Sequence, residues 1–140
     1  MNPYMEQEIL GAAPVELVKI IYQRAISCVR EARQHLGMGR IAERSAAISS
    51  AHRALSELLA ALRPEAAPEL GFRLQALYLY MQQRLIDANL RQSDAPLAEV
   101  LGLLTILSEA WTRLADEKTN LSEKRQSDST GRDAHFLVSA

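Results

Sequence analysis

The chain has a single cysteine, Cys28, among 140 residues, so no internal disulfide is possible. That fits a reducing compartment and points to the cytosol. An excess of one charge is missing too. Sixteen basic residues face seventeen acidic ones, for a net charge of −1, and both signs are spread along the chain. Without a basic run there is no surface to track phosphates, which excludes general nucleic-acid binding. The longest greasy stretch, Leu101 to Leu107, contains Gly102 and Thr105. It falls far short of the roughly 18 apolar residues of a membrane span. Met1-Asn2-Pro3-Tyr4-Met5-Glu6 has no basic stretch followed by an apolar one, so no secretory leader is expected.

The residue patterns of catalysis are also missing. A di-iron helical bundle needs Glu-x-x-His on two helices, and the sequence contains none. Glu31 and His35 lie four apart, the spacing of an ordinary solvated helix pair. His52 sits beside Arg53, and His135 lies near the end of the chain, neither with ligands at metal spacing. No phosphate loop, nucleophile elbow or dinucleotide fingerprint is present. Cys28 falls on an apolar stripe and reads as a small buried hydrophobe. The expectation is a protein with no enzyme activity, metal or cofactor.

What is present is helical periodicity. Hydrophobic residues make up 48% of the chain, enough for one domain with its own core. Proline and glycine divide the sequence into four long segments, none with strand alternation. The first is predicted to start at Pro14, whose missing N–H costs nothing there, and to stop at Gly37 and Gly39. Its stripe is Leu17, Ile20, Ile21, Ala25, Cys28, Ala32 and Leu36. The second runs from about Arg40 to Leu62, with Ile41, Ile48, Leu55 and Leu62 every seven residues and Ala51 and Leu58 between. Arg63-Pro64 ends it.

The third segment starts between Glu65 and Leu70 and ends near Gln92, with Leu70, Leu74, Leu77, Met81, Leu85 and Ala88 on one face. The fourth starts near Asp94 or Ala95, with Asp94 as cap and Pro96 in the first turn. Its stripe runs from Leu97 through Val100, Leu101, Leu104, Leu107, Trp111 and Leu114 to Leu121. From Ser122 the pattern fades, and Ser127 to Asp133 reads as loop or disorder. Helices of this length span about 35 Å, and short connections favour antiparallel neighbours. The predicted fold is all-α: an antiparallel four-helix bundle over 1–121, with a short arm at 1–13 and a flexible tail at 122–140.

One stripe per helix is enough for a bundle, yet several helices carry a second. The first adds Val18, Tyr22, Ile26 and Val29. The third adds Phe72, Leu79, Ile86 and Leu90, with Tyr78 and Tyr80 between the faces. The fourth adds Leu103, Ile106 and Ala110. Either the core is broad, or part of this surface is a groove for a partner helix or extended segment.

Several short motifs recur in one order. Tyr4 to Pro14 resembles the N-terminal arm of the FliS flagellar secretion chaperones, with a tyrosine ten residues before a helix-starting proline. Glu16-Leu17 and Ile21-Tyr22 resemble the pairs that follow it, and Glu57-Leu58 with Leu62 the end of the second helix. Leu77-Tyr78-x-Tyr80-Met81, Leu85 and Ala88-Asn89 resemble the family's third helix. Asp94, Leu97, Glu99-Val100 and Ala110-Trp111 continue the series. Gly11 and Ala13 depart from it, standing where the family has threonine and serine. Alanine before Pro14 forfeits roughly 1 kcal/mol of helix capping.

The resemblance implies a cytosolic chaperone that holds the disordered C-terminal segment of flagellin along the outside of its bundle. It would block premature polymerisation and help deliver the subunit to the export gate. Arm residues Tyr4, Ile9 and Leu10 would cover part of the groove until the client arrives. Tyr78, Tyr80, Leu103 and Ile106 are the expected exposed groove residues. Trp111 is either an anchor for the partner or part of the core. Asn89 bonds either a connecting loop or the client backbone. Expected partners are flagellin and the export gate, with no nucleic acid or membrane insertion, and the chain itself a monomer or weak homodimer. The competing reading is a helical adaptor for another flagellar or regulatory protein.

Overall fold

A computed structural model describes residues 15–63, 65 and 67–139, with side chains described save at 115, 118, 119 and 129–139. Four helices follow one another: α1 (Val15–Gly37), α2 (Ile41–Ala61), α3 (Pro68–Arg91) and α4 (Ala95–Ser139). α1 packs on α2 and α4, and α3 packs on the same two, which leaves α1 and α3 facing each other across the bundle. Side-chain pairs fix the directions. Arg24 early in α1 pairs with Glu57 late in α2, and Arg44 early in α2 reaches Asn89 late in α3. Arg84 in the second half of α3 meets Glu99 near the start of α4. Every neighbouring pair is therefore antiparallel, as short connections require.

The helix ends follow local chemistry. After α1 the chain turns through Gly39 at φ +69°, a left-handed conformation that glycine adopts without strain, and the Arg40 N–H closes the turn on His35 O at 2.9 Å. α2 stops where Leu62 turns extended, two residues ahead of Pro64. Pro68 opens α3. Gln92 closes it at φ 52°, with the Ser93 N–H on Ala88 O at 3.1 Å. Asp94 stands at the expected cap position of α4, its carbonyl accepting the Ala98 N–H at 2.9 Å, and gives both carboxylate oxygens to Arg33 of α1, at 2.8 and 3.0 Å. A two-bond charged pair outweighs a neutral N–H cap. The guanidinium beside it holds the Asp94 carboxyl below its usual range.

The core takes residues from all four helices, and on α1 it differs from the expected stripe. Leu17 and Ile20 are exposed, at 47% and 60%, and Cys28 is only half-buried. Val18, Tyr22, Ile26 and Val29, read as a second stripe, are the buried ones, together with Ile21, Ala25 and Ala32. More than half of the circumference of α1 is apolar, so periodicity cannot single out the inward direction. On α2, Ile41 is exposed while Ile48, Ala51, Leu55, Leu58 and Leu62 are buried. On α3 and α4 most of the expected stripe is buried or half-buried, Leu121 being exposed.

α4 also departs from expectation at its end. The segment read as loop, Ser127 to Asp133, lies inside the helix, which continues to Ser139. The described side chains from Asn120 to Asp128 are all exposed. Lys124, Arg125 and Gln126 are strong helix formers, and no proline interrupts the stretch. A loss of apolar periodicity marks the end of packing, not the end of a helix.

Between α2 and α3 lies a polar seam. The Arg44 side chain is 5% exposed, and its Nε–H donates to Asn89 Oδ1 at 3.1 Å, with the Ser45 hydroxyl donating to the same oxygen at 3.1 Å. Gln82 Nε2 donates to His52 O and Ser56 Oγ. Asn89 Oδ1 thus holds the side chains of Arg44 and Ser45. Asn89→Ala removes that acceptor and is expected to cost about 2 kcal/mol, since the Arg44 Nε–H and the Ser45 hydroxyl lose their partner in a part-buried seam. The check is a lower urea midpoint at unchanged slope. Arg44→Met combined with Asn89→Leu should recover most of the loss.

Candidate functional site

Tyr78 and Trp111, two of the residues expected to meet a partner or the core, settle inside. Tyr78 is fully buried, which corrects its reading as an exposed groove residue, and Trp111 is 3% exposed. The cause is a hydrogen-bonded chain across the bundle. Trp111 Nε1–H of α4 donates to Tyr22 Oη of α1 at 2.9 Å, and that oxygen lies 2.5 Å from Tyr78 Oη of α3. The two tyrosine rings are tilted, with centroids 6.5 Å apart. Aromatic bodies fill the core while their polar tips satisfy one another.

Burial pushes the Tyr78 hydroxyl up to about 12. Burial, and then the neighbouring Tyr78, pushes Tyr22 well above its ordinary value. Both groups bind protons more tightly folded than unfolded, so their stabilisation is complete below about pH 10; the Tyr78 share is lost as pH rises through about 12, and the Tyr22 share falls in the same direction. Urea midpoints should therefore fall steadily over this window. Phenolate absorbance from these two tyrosines should appear only together with loss of helix.

The remaining described candidates sit on one side of the molecule. Tyr80 is exposed and donates its hydroxyl to Glu99 of α4. Arg84 Nε donates to the same Glu99 oxygen at 3.3 Å, and its Nη1 lies 3.6 Å from Asp87. One turn beyond Glu99 comes Leu103, half-buried against the core, and then Ile106, 63% exposed. Helical spacing puts Glu99, Leu103, Ile106 and Ala110 on one line along α4, beside α3. Leu77 of α3, also half-buried, lies one turn from Tyr80 on the side of Leu103. Tyr80, through Glu99, thus meets the line of α4 that also carries Leu103 and Ile106. Tyr4, Ile9 and Leu10 lie outside the described residues.

A second exposed feature was visible in the sequence but not singled out as a site. Phe72, Leu79, Ile86 and Leu90 are exposed at 58%, 51%, 40% and 76%. With Ala76 and Gln83 they follow steps of four and three, so they form a single line about 27 Å long on α3. Their heptad spacing was the available signal. It could not tell outside from inside, because α3 buries a second apolar line behind it. Glu99, the acceptor that joins Tyr80 to Arg84, was noted only as part of a motif.

This arrangement offers surfaces and little chemistry. Among the described residues, no group of three or more His, Cys, Asp or Glu is placed to hold a metal ion. No helix there is long and apolar enough to cross a membrane. Burial, with Glu31 beside it, pushes the Cys28 thiol up and away from the reactive thiolate. An all-α bundle with a filled core and apolar lines left on its outside defines a binding protein.

Comparison with known proteins makes this specific. Residues 1–118 match the family model described as flagellar protein FliS, and the chain belongs to the FliS family. It is 33% identical over 122 residues to the flagellar secretion chaperone FliS of Salmonella typhimurium, covering 86% of this chain and 90% of that one. It is 29% identical over 113 residues to the flagellar secretion chaperone FliS of Bacillus subtilis, covering 79% and 84%. It is 30% identical over 107 residues to the flagellar secretion chaperone FliSB of Pseudomonas aeruginosa, covering 76% and 85%. This is a family of chaperones and not of enzymes.

Proposed function

We propose that this protein binds the disordered C-terminal segment of flagellin in the bacterial cytosol, keeps it from polymerising early and helps present it to the flagellar export apparatus. Family membership supplies the client class. The observation that carries the reading is the exposed line Phe72, Leu79, Ile86 and Leu90 on α3. A disordered segment spends part of its binding free energy on becoming ordered, so it needs a long apolar track to gain useful affinity. The chaperone unit is residues 1–121, as a monomer or weak homodimer. Tyr4, Ile9 and Leu10 serve as a cover that the client displaces.

Calorimetric titration with the C-terminal segment of flagellin from the same organism tests this. Saturable one-to-one binding with a negative heat-capacity change supports it. Absence of heat at tens of micromolar, with both components soluble and the protein folded, would replace it by the adaptor reading.

A further inference from the structure

The line Phe72, Leu79, Ile86 and Leu90 gives α3 an exposed apolar face, and the residues on either side of it fix where it points. Gln82 and Asn89 reach α2, so the line runs along the α2 side of α3, where Ser49 and Ser56 of α2 are exposed and small. Its other border is charged. Glu69, Arg73, Asp87 and Arg91 stand on the line that carries Tyr80, toward α4. Their order is mirrored about Tyr80. Glu69 lies eleven residues before it and Arg91 eleven after; Arg73 lies seven before and Asp87 seven after. Each acid thus has a base at the mirrored position. The apolar residues repeat the symmetry within one position, Phe72 matching Leu90 and Ala76 matching Ile86.

Such a pattern suits a second copy of the same helix lying antiparallel. A two-fold axis through Tyr80 sets Glu69 against the partner's Arg91 and Arg73 against the partner's Asp87, each contact occurring twice. Parallel packing would set every charge against its own kind. Arg73 and Asp87 already have exposed or half-exposed neighbours in their own helix, Glu69 and Arg84, and pairs of that sort hold loosely enough to extend across a contact. Arg91 is exposed and joins none of the ion pairs among the described residues. We infer that two copies of the empty protein pair through the outer line of α3, antiparallel about Tyr80, and that the second copy and the flagellin segment compete for that line. The competition, though not the pairing, rests on the chaperone reading above. A strip about 27 Å long and about 10 Å wide gives on the order of 300 Å² per partner, well under the ~800 Å² of a stable interface, so the pair is weak and yields to a client.

The experiment is sedimentation equilibrium of the full chain from about 10 μM to about 1 mM. Wild type should be monomeric at the low end and mostly dimeric at the high end, less so at high salt. Arg91→Glu and Glu69→Arg should each weaken dimerisation about tenfold. An equimolar mixture of the two variants should dimerise as wild type does, because both contacts between unlike chains again join an acid to a base. Leu79→Glu should abolish the dimer at unchanged helix content. Saturating flagellin C-terminal segment should convert wild-type dimer into one-to-one complexes. A wild type that stays monomeric throughout, a dimer indifferent to Leu79→Glu, a mixture no better than its components, or a two-to-two complex with the segment overturns the inference and leaves the chaperone reading standing. A segment that fails to bind wild type removes the chaperone reading and the competition with it, while rescue by mixing still upholds the pairing.

Discussion

Tyr22→Phe is expected to destabilise the protein by about 3 kcal/mol, and Tyr78→Phe by about 1 kcal/mol, although each loses a single oxygen from the same buried chain. Tyr22 is the middle link. Its oxygen accepts from Trp111 and shares a proton with Tyr78. Three donor hydrogens serve two bonds, so one hydroxyl hydrogen goes unused whichever tyrosine donates. Removing the Tyr78 oxygen loses one bond and leaves that count unchanged. Removing the Tyr22 oxygen loses both bonds and strands the Trp111 N–H and the Tyr78 O–H in the buried core. A domain of this size should show a fall in Tm of about 10 °C for the first and about 3 °C for the second. Equal costs would show that Trp111 finds another acceptor, and the middle-link account would then be wrong.

Leu79→Glu combined with Ile86→Glu is expected to weaken flagellin-segment binding about a hundredfold while changing unfolding stability by less than about 0.5 kcal/mol. Both side chains are already exposed, so the folded protein loses little packing. A partner laid along α3 would lose two apolar contacts and have to desolvate two carboxylates. Titration calorimetry and thermal melts on one preparation separate the two effects. Unchanged affinity would move the client away from the outer line of α3. Lost affinity with an equally large loss of stability would mean that the line supports the fold.

Much of this was legible in the sequence because α2, α3 and α4 carry strong periodicity between clear punctuation. Gly37 and Gly39, Arg63-Pro64 and Ser93-Asp94 separate the helices, and the inner lines of α3 and α4 are where the spacing puts them. Orientation was harder to read. On α1 two apolar lines adjoin, and only the neighbouring helices decide that Val18 and Tyr22 turn in while Leu17 and Ile20 turn out. Tyr78 and Tyr80 illustrate the same difficulty. Two positions apart on a helix, they point to different sides, and the hydroxyl of Tyr22 is what makes the interior habitable for Tyr78. That partner is 56 residues away in the chain. Polar ends such as Glu99 with Tyr80, or Asn89 with Arg44, are likewise tertiary pairings that no local window contains.

Trp111 is the only tryptophan in the chain, and it sits within the bundle with its indole N–H already engaged. Its emission should therefore be blue and insensitive to aqueous quenchers. It should collect excitation from Tyr22 and Tyr78 by energy transfer. Cargo laid over α3 and α4 changes none of those surroundings. Intrinsic fluorescence of this protein should thus follow melting of its interior faithfully and stay blind to loading, so occupancy must be watched with a dye carried by the cargo.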